Sequence, residues 1–167
     1  MSFKYTIEET QLEGVKVFTP DKFTDYRGTM WTHWEKDMDT PPHKISKFTH
    51  SRKNVLRGLH GDNETWKHIT CVYGAFYLVV VDYREDSPTY LQWVSFTLDD
   101  KNCKSVLVPP GFLNGHLCLS DECVFHYTQS YPNEYVDWQD QMSVNWNDPA
   151  LKINWPIDNP ILSERDK

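Results

Sequence analysis

Apolar and polar residues follow one another along this chain in short alternating runs that end at turn residues, and one run is more hydrophobic than the rest. In Ala75-Phe76-Tyr77-Leu78-Val79-Val80-Val81-Asp82-Tyr83, Ala75, Tyr77, Val79 and Val81 share one face and Phe76, Leu78 and Val80 the other. A strand apolar on both faces belongs to a sandwich or barrel core, or has one face buried against a partner subunit. Shorter strands are predicted over Val15–Phe18, Thr29–Trp34, 45–52, Val55–Leu59, Trp66–Tyr73, Leu91–Leu98, Val106–Val108, Asn114–Leu119 and Cys123–Gln129, rich in β-branched and aromatic residues. Thr19-Pro20-Asp21, Asp25-Tyr26-Arg27-Gly28, Asp86-Ser87-Pro88, Pro109-Pro110-Gly111 and Ser120-Asp121-Glu122 supply turns. Residues 35–43 read as a loop or one helical turn. The tail from Asn145 to Lys167 reads as irregular, with a short helix around Pro149–Leu151. No helical period shows between residues 55 and 130. The pattern predicts an all-β fold, a jelly-roll barrel with irregular N- and C-terminal extensions, whose mouth is the natural ligand cavity.

Composition narrows the class. At 167 residues and 19.8 kDa the chain is sized for one domain, 1–167, with a proper core. A net charge of -7 without clustered Lys and Arg argues against nucleic-acid binding. Met1 to Glu13 is polar, unlike a signal peptide, and no run approaches membrane-spanning length, so a cytoplasmic protein with no membrane partner is expected. The cysteines, Cys71, Cys103, Cys118 and Cys123, form no C-x-x-C pair and read as buried thiols. No H-x-H pair occurs among the histidines, so no metal is expected.

Candidate chemistry begins at Val55-Leu56-Arg57-Gly58-Leu59-His60-Gly61-Asp62. An odd spacing along an extended strand sends Arg57 and His60 to opposite faces, unless Gly58 lets the strand bulge and re-aim them. Taken alone, Arg57 reads equally as a solvated edge charge and His60 as a half-buried strand histidine. A longer pattern changes that reading. Arg57-Gly58-Leu59-His60 is followed by Lys67, by Asp82-Tyr83-Arg84 with Ser87-Pro88-Thr89, and by Val108-Pro109-Pro110-Gly111-Phe112. Then come Ser120-Asp121-Glu122 with Tyr127, Asp148-Pro149-Ala150-Leu151, Asn154-Trp155-Pro156 and Pro160-Ile161-Leu162-Ser163. This order resembles the dTDP-4-dehydrorhamnose 3,5-epimerase family, over about Val15 to Asp166. Asn54 to Gly58, His60-Gly61-Asp62, Cys71-Val72-Tyr73-Gly74 and Asn114 resemble the branch acting on GDP-linked 4-keto-heptoses in capsule pathways.

The resemblance implies a cupin-type barrel that inverts C3, or C3 and C5, of a nucleotide-linked 4-keto-6-deoxy sugar without a cofactor. A proton next to a ketone can leave because its charge spreads onto the ketone oxygen, and inversion follows when a proton returns from the other face. By this resemblance His60 is the base, a role an imidazole can fill near neutral pH. Asp148 is its carboxylate partner, Tyr127 the acid, and Lys67 the cation at the developing oxyanion. Arg57 and Arg27 hold the nucleotide diphosphate, with Asn114 and Ser51 as further substrate contacts. The Arg27 turn is expected to reach a neighbouring subunit's site, which implies a homodimer. Rhamnose-type members carry histidine at the position of Asn114 and tend to carry phenylalanine at that of Met30, departures that speak against a dTDP-linked hexose. A sugar-nucleotide 3,4-ketoisomerase and a non-catalytic sugar-binding cupin are the alternative readings.

Overall fold

The computed structural model describes residues 4–167; residues 1–3, the start of the polar segment Met1–Glu13, lie outside the described residues. The strands are β1 Tyr5–Glu9, β2 Lys16–Pro20, β3 Lys22–Asp25, β4 Gly28–Trp31, β5 Ile45–Arg52, β6 Leu56–Gly61, β7 Trp66–Tyr73, β8 Ala75–Asp82, β9 Trp93–Asp99, β10 Ser105–Val108, β11 Phe112–Cys118, β12 Glu122–Ser130 and β13 Met142–Ser143. They form a six-stranded sheet in the order β1-β2-β10-β7-β12-β5, a five-stranded sheet in the order β13-β6-β11-β8-β9, and the separate hairpin β3-β4. Among the described residues no helix is long and apolar enough to cross a membrane.

Alternation along the strands divides the apolar residues into layers. Phe76, Leu78 and Val80 of β8 meet Ile69 and Cys71 of β7, Val106 and Val108 of β10 and Phe125 of β12 in the main core between the sheets. The other face of β8 is covered from within the chain. Val79 and Val81, with Leu59 and Leu113, are covered by the chain's own later residues Met142, Val144, Leu151, Ile153 and Trp155. Burying an aliphatic side chain of this kind is worth about 1.5–3 kcal/mol, enough for a largely irregular tail to hold its course. A third cluster, Phe18, Leu107 and Met38, covers the outer face of the six-stranded sheet.

Backbone bonds fix the tail as well. Val144 exchanges hydrogen bonds with Leu59 at 3.0 and 3.1 Å, and Leu56 N–H donates to the Ile161 carbonyl at 3.0 Å. The Trp93 indole donates to the Leu151 carbonyl at 2.9 Å. The chain therefore returns to β6 just before a short 3-10 helix at Glu164–Asp166.

Several local expectations are corrected. The predicted helix at Pro149–Leu151 is a turn, because Asp148 accepts from the Leu151 N–H at 3.0 Å and from the Ala150 N–H at 2.8 Å and the backbone goes no further. The strand predicted to reach Trp34 stops at Trp31, and His33 leaves the hairpin to stack on His68 at 4.5 Å. The Asp82-Tyr83-Arg84 and Ser87-Pro88-Thr89 blocks have a structural task. Asp82, fully buried at the end of β8, accepts from Arg84 Nε at 2.9 Å, Ser87 Oγ at 2.5 Å and Thr89 Oγ1 at 2.6 Å. Burial would raise its pKa, but these donors outweigh that and hold it well below the usual carboxylate range.

Candidate active site

The site is built around an irregularity in β6. Arg57 pairs with His116 of β11 and His60 pairs with Asn114, so three steps along β6 match two along β11. That extra residue turns the odd spacing into a shared face, and both side chains line one cavity of about 280 Å³ between the sheets. Gly58 makes the bulge possible. Its φ is +132°, and a Cβ there would lie 2.5 Å from the Gly115 Cα on the facing strand.

Other strands deliver their residues by simple alternation. Lys67 of β7 and Phe125, Tyr127 and Gln129 of β12 line the same cavity, facing His60, Asn114 and His116 from the other sheet. Lys67 is 8% exposed and its Nζ donates to Asn114 Oδ1 at 2.8 Å. Burial lowers its pKa to about 8, with Asp62 pulling the other way and Arg165 and Lys47 adding to the depression. Burial pushes the Tyr127 phenol up, so it keeps its proton at neutral pH; Lys47 only partly offsets this. Arg57 Nε donates to Ser51 Oγ at 3.0 Å, so Ser51, itself buried, acts on the cavity by orienting Arg57.

His60 has a carboxylate partner, and it is Asp166 rather than Asp148. The His60 Nε2 to Asp166 Oδ1 separation is 2.7 Å, and both side chains are largely buried. Neither atom makes a well-formed hydrogen bond, and the approach becomes an ion pair once the imidazole takes up a proton. Asp166 is anchored through its other oxygen by the Ser163 hydroxyl at 2.9 Å. Burial would raise its pKa, yet His60, Ser163 and Arg165 together bring it below the ordinary value. Asp148 is spent on its own turn, where its carboxylate accepts the Ala150 N–H.

Arg27 also stands apart from this cavity. It lies at the tip of the β3-β4 hairpin, exposed, with its guanidinium clamped on Asp25 through Nε at 3.1–3.2 Å and Nη2 at 2.5 Å. Sequence reasoning passed over Asp166 and Arg165, although Ser163-Glu164-Arg165-Asp166 carries the Ser-x-x-Asp pattern of a capped turn. It also missed Lys47 and Tyr135, which line the cavity with Lys47 Nζ donating to the Tyr135 hydroxyl at 2.5 Å.

An imidazole with a carboxylate behind it, a buried lysine and a protonated phenol around one cavity are groups able to move a proton on and off a carbon beside a carbonyl. Comparison with known proteins agrees with this chemistry. A sequence profile described as dTDP-4-dehydrorhamnose 3,5-epimerase matches residues 9–167. The dTDP-4-dehydrorhamnose 3,5-epimerase of Shigella flexneri is 32% identical over 167 residues, 95% of this chain and 91% of that protein. The dTDP-4-dehydrorhamnose 3-epimerase of Streptomyces niveus is 34% identical, over 93% of this chain and 78% of its own. Among solved structures, a dTDP-6-deoxy-D-glucose-3,5-epimerase from Legionella pneumophila in complex with dTDP-4-keto-L-rhamnose superposes with a TM-score of 0.90 at 30% identity. That match covers 98% of this chain and 90% of the other.

The fold and these relatives define a cupin-type isomerase acting on nucleotide-linked sugars. More particularly, the chain belongs to the dTDP-4-dehydrorhamnose 3,5-epimerase family.

Proposed function

We propose that this epimerase inverts C3, or C3 and C5, of a nucleotide-linked 4-keto-6-deoxy sugar, with His60 as base, Tyr127 as acid and Lys67 at the oxyanion. The observation that carries the reading is the 2.7 Å approach of His60 to Asp166 in the cavity that Tyr127 enters from the opposing sheet. Asp166 replaces Asp148 in the proposed set. Its negative charge favours the imidazolium formed when His60 takes a proton, and it occupies Nε2, leaving Nδ1 for the substrate. Lys67 meets the charge developing on the C4 oxygen, and Tyr127 returns a proton from the other side. Arg57, steadied by Ser51, and Arg165 are the cations proposed for the diphosphate.

The nucleotide and the sugar's length are the finer part of the proposal. The relatives named above carry dTDP-linked sugars in their names, whereas Asn114 and Met30 depart from the rhamnose-type pattern, and Asn114 is among the residues that resemble the GDP-heptose branch. Turnover of both substrates by the same preparation, compared as kcat/KM, decides between them. The His60→Asn variant is expected to lose turnover while keeping its fold and nucleotide affinity; full activity in that variant would overturn the assignment of the base.

The active unit proposed is a homodimer. The hairpin supports this, since Phe23, Tyr26 and Met30 are exposed on it beside Arg27 and Arg27 is absent from its own subunit's cavity. If Arg27 serves the neighbouring site, mixing Arg27→Ala with His60→Asn subunits regenerates one complete site per mixed dimer and restores activity. Mixed subunits as inactive as either parent would contradict the exchange. The proposed compartment is the cytoplasm, a reducing setting that suits the four free cysteines.

A further inference from the structure

His116 has no part in the proton transfers described above, yet it stands in the same cavity. It faces inward from β11 beside Asn114, opposite Arg57 in the strand pairing. Its ring stacks on Phe125 with centroids 4.1 Å apart and 14° between planes, and Phe76 packs against it at 5.4 Å. The ring is 4% exposed, and its Nε2 is buried without a hydrogen-bond partner. A phenyl ring would fill this stack equally well and leave no polar atom unpaired. The imidazole therefore costs stability where it stands, which is the usual mark of a group kept for a ligand.

We propose that His116 contacts the substrate, hydrogen-bonding an uncharged oxygen of the sugar ring, and so helps decide which sugars the cavity accepts. The assignment rests on reading this cavity as the sugar site. The surroundings favour an uncharged oxygen over the diphosphate. Burial, together with Arg57 and His60, drives the His116 pKa down to about 3 even though Asp166 acts in the opposite direction, so the imidazole is neutral at working pH. A neutral imidazole offers one donor and one acceptor, which matches a hydroxyl or a ketone. The phosphates have better partners in the guanidinium groups of Arg57 and Arg165, which line the same cavity. Phe76 and Phe125 pack on the ring, so its orientation is held before substrate arrives. Of the other imidazole nitrogens without a hydrogen-bond partner, His60 Nε2 faces Asp166, and those on His33, His43 and His68 belong to residues outside this lining.

The test compares His116→Phe and His116→Gln with the wild type. Kinetics use whichever nucleotide-linked 4-keto-6-deoxy sugar the wild type turns over, and GDP and dTDP alone serve as binding probes. For His116→Phe we expect kcat/KM to fall tenfold or more, nucleotide affinity to stay within twofold, and the melting temperature to hold or rise. His116→Gln is expected to recover part of the lost kcat/KM, and it alone carries the test if the phenylalanine variant does not fold. Wild-type kcat/KM in His116→Phe would overturn the proposal and leave a packing role only. Parallel loss of nucleotide affinity would also overturn it, because the ring would then be reading the nucleotide or supporting the whole site. A wild-type protein that turns over neither sugar would overturn the reading of the cavity itself, and this assignment with it.

Discussion

Replacing Asp166 by asparagine removes one charge from the site with almost no change of shape, and the geometry sets the size of the effect. Opposite unit charges 2.7 Å apart attract by about 6 kcal/mol at an effective dielectric of 20. That attraction exists only when His60 is protonated, so it favours the state that follows proton abstraction over the state that precedes it. The His60 side chain is 18% exposed, and solvent takes part of the field. Keeping about half leaves roughly 3 kcal/mol, a loss of about 10²–10³-fold in kcat at 1.36 kcal/mol per tenfold. The assay is steady-state turnover, with nucleotide affinity and thermal melting as controls, since the Ser163 hydroxyl can still donate to the amide oxygen. Asp148→Asn, made beside it, is expected to stay within threefold of wild type, because Asp148 holds only its own turn. Asp166→Asn within threefold of wild type, or a larger loss from Asp148→Asn, would refute the reasoning.

Three further outcomes follow from the same structure. With its pKa lowered to about 8, Lys67 loses its charge as pH rises through that value, so kcat is expected to fall on the alkaline side near pH 8. Lys67→Arg should move that limb above pH 10, as a pH–rate profile would record, and Lys67→Met should cost about 3–4 kcal/mol of barrier below pH 8, with the gap to wild type closing above it. His33 has its pKa lowered to about 4, chiefly by burial and then by His126 and His43, so the unfolded chain binds more protons between about pH 6.5 and 4. Its contribution is complete above the unfolded value and is lost as pH falls toward 4. The unfolding free energy from urea denaturation should drop over that window, by up to about 3 kcal/mol, and His33→Gln should flatten the dependence. Gly58→Ala should cost about 3 kcal/mol or more, because its methyl group would sit 2.5 Å from the Gly115 Cα at a φ of +132°. Urea denaturation measures that loss, and a neutral result would mean that β6 and β11 can part at the bulge.

The barrel was legible because its strands obey a period of two. Lys67, Tyr127 and Gln129 enter the cavity from the side that alternation assigns them, and Phe76, Leu78 and Val80 enter the core for the same reason. The meeting of Arg57 with His60 was legible as a condition, since it required the bulge that Gly58 allows. The partner of His60 was not legible in the same way. Asp166 sits in a 3-10 turn far along the chain, and its approach depends on tail contacts, Val144 on Leu59 and Ile161 on Leu56, that no local periodicity encodes. Asp148, implied by the family resemblance, holds a tight turn of its own, and it is the path of the tail that brings Asp166 to His60. Tertiary covering also explains β8, whose second apolar face meets the chain's own Leu151 and Trp155 and so does not speak for a dimer. The hairpin carrying Arg27 was read as a turn and a strand, and its exposure is visible only in three dimensions.

The central claim is that His60 and Tyr127 pass a proton through an enolate. Deuterium incorporation tests it most directly: the purified protein is mixed with a GDP-linked 4-keto-6-deoxy-heptose or a dTDP-linked 4-keto-6-deoxy-hexose in heavy water, and the product mass is compared with that of a protein-free control. The account predicts protein-dependent uptake of one deuteron for exchange at C3, or two for exchange at C3 and C5, with uptake abolished in His60→Asn. No uptake with either sugar, in a folded protein that still binds nucleotide, would contradict it.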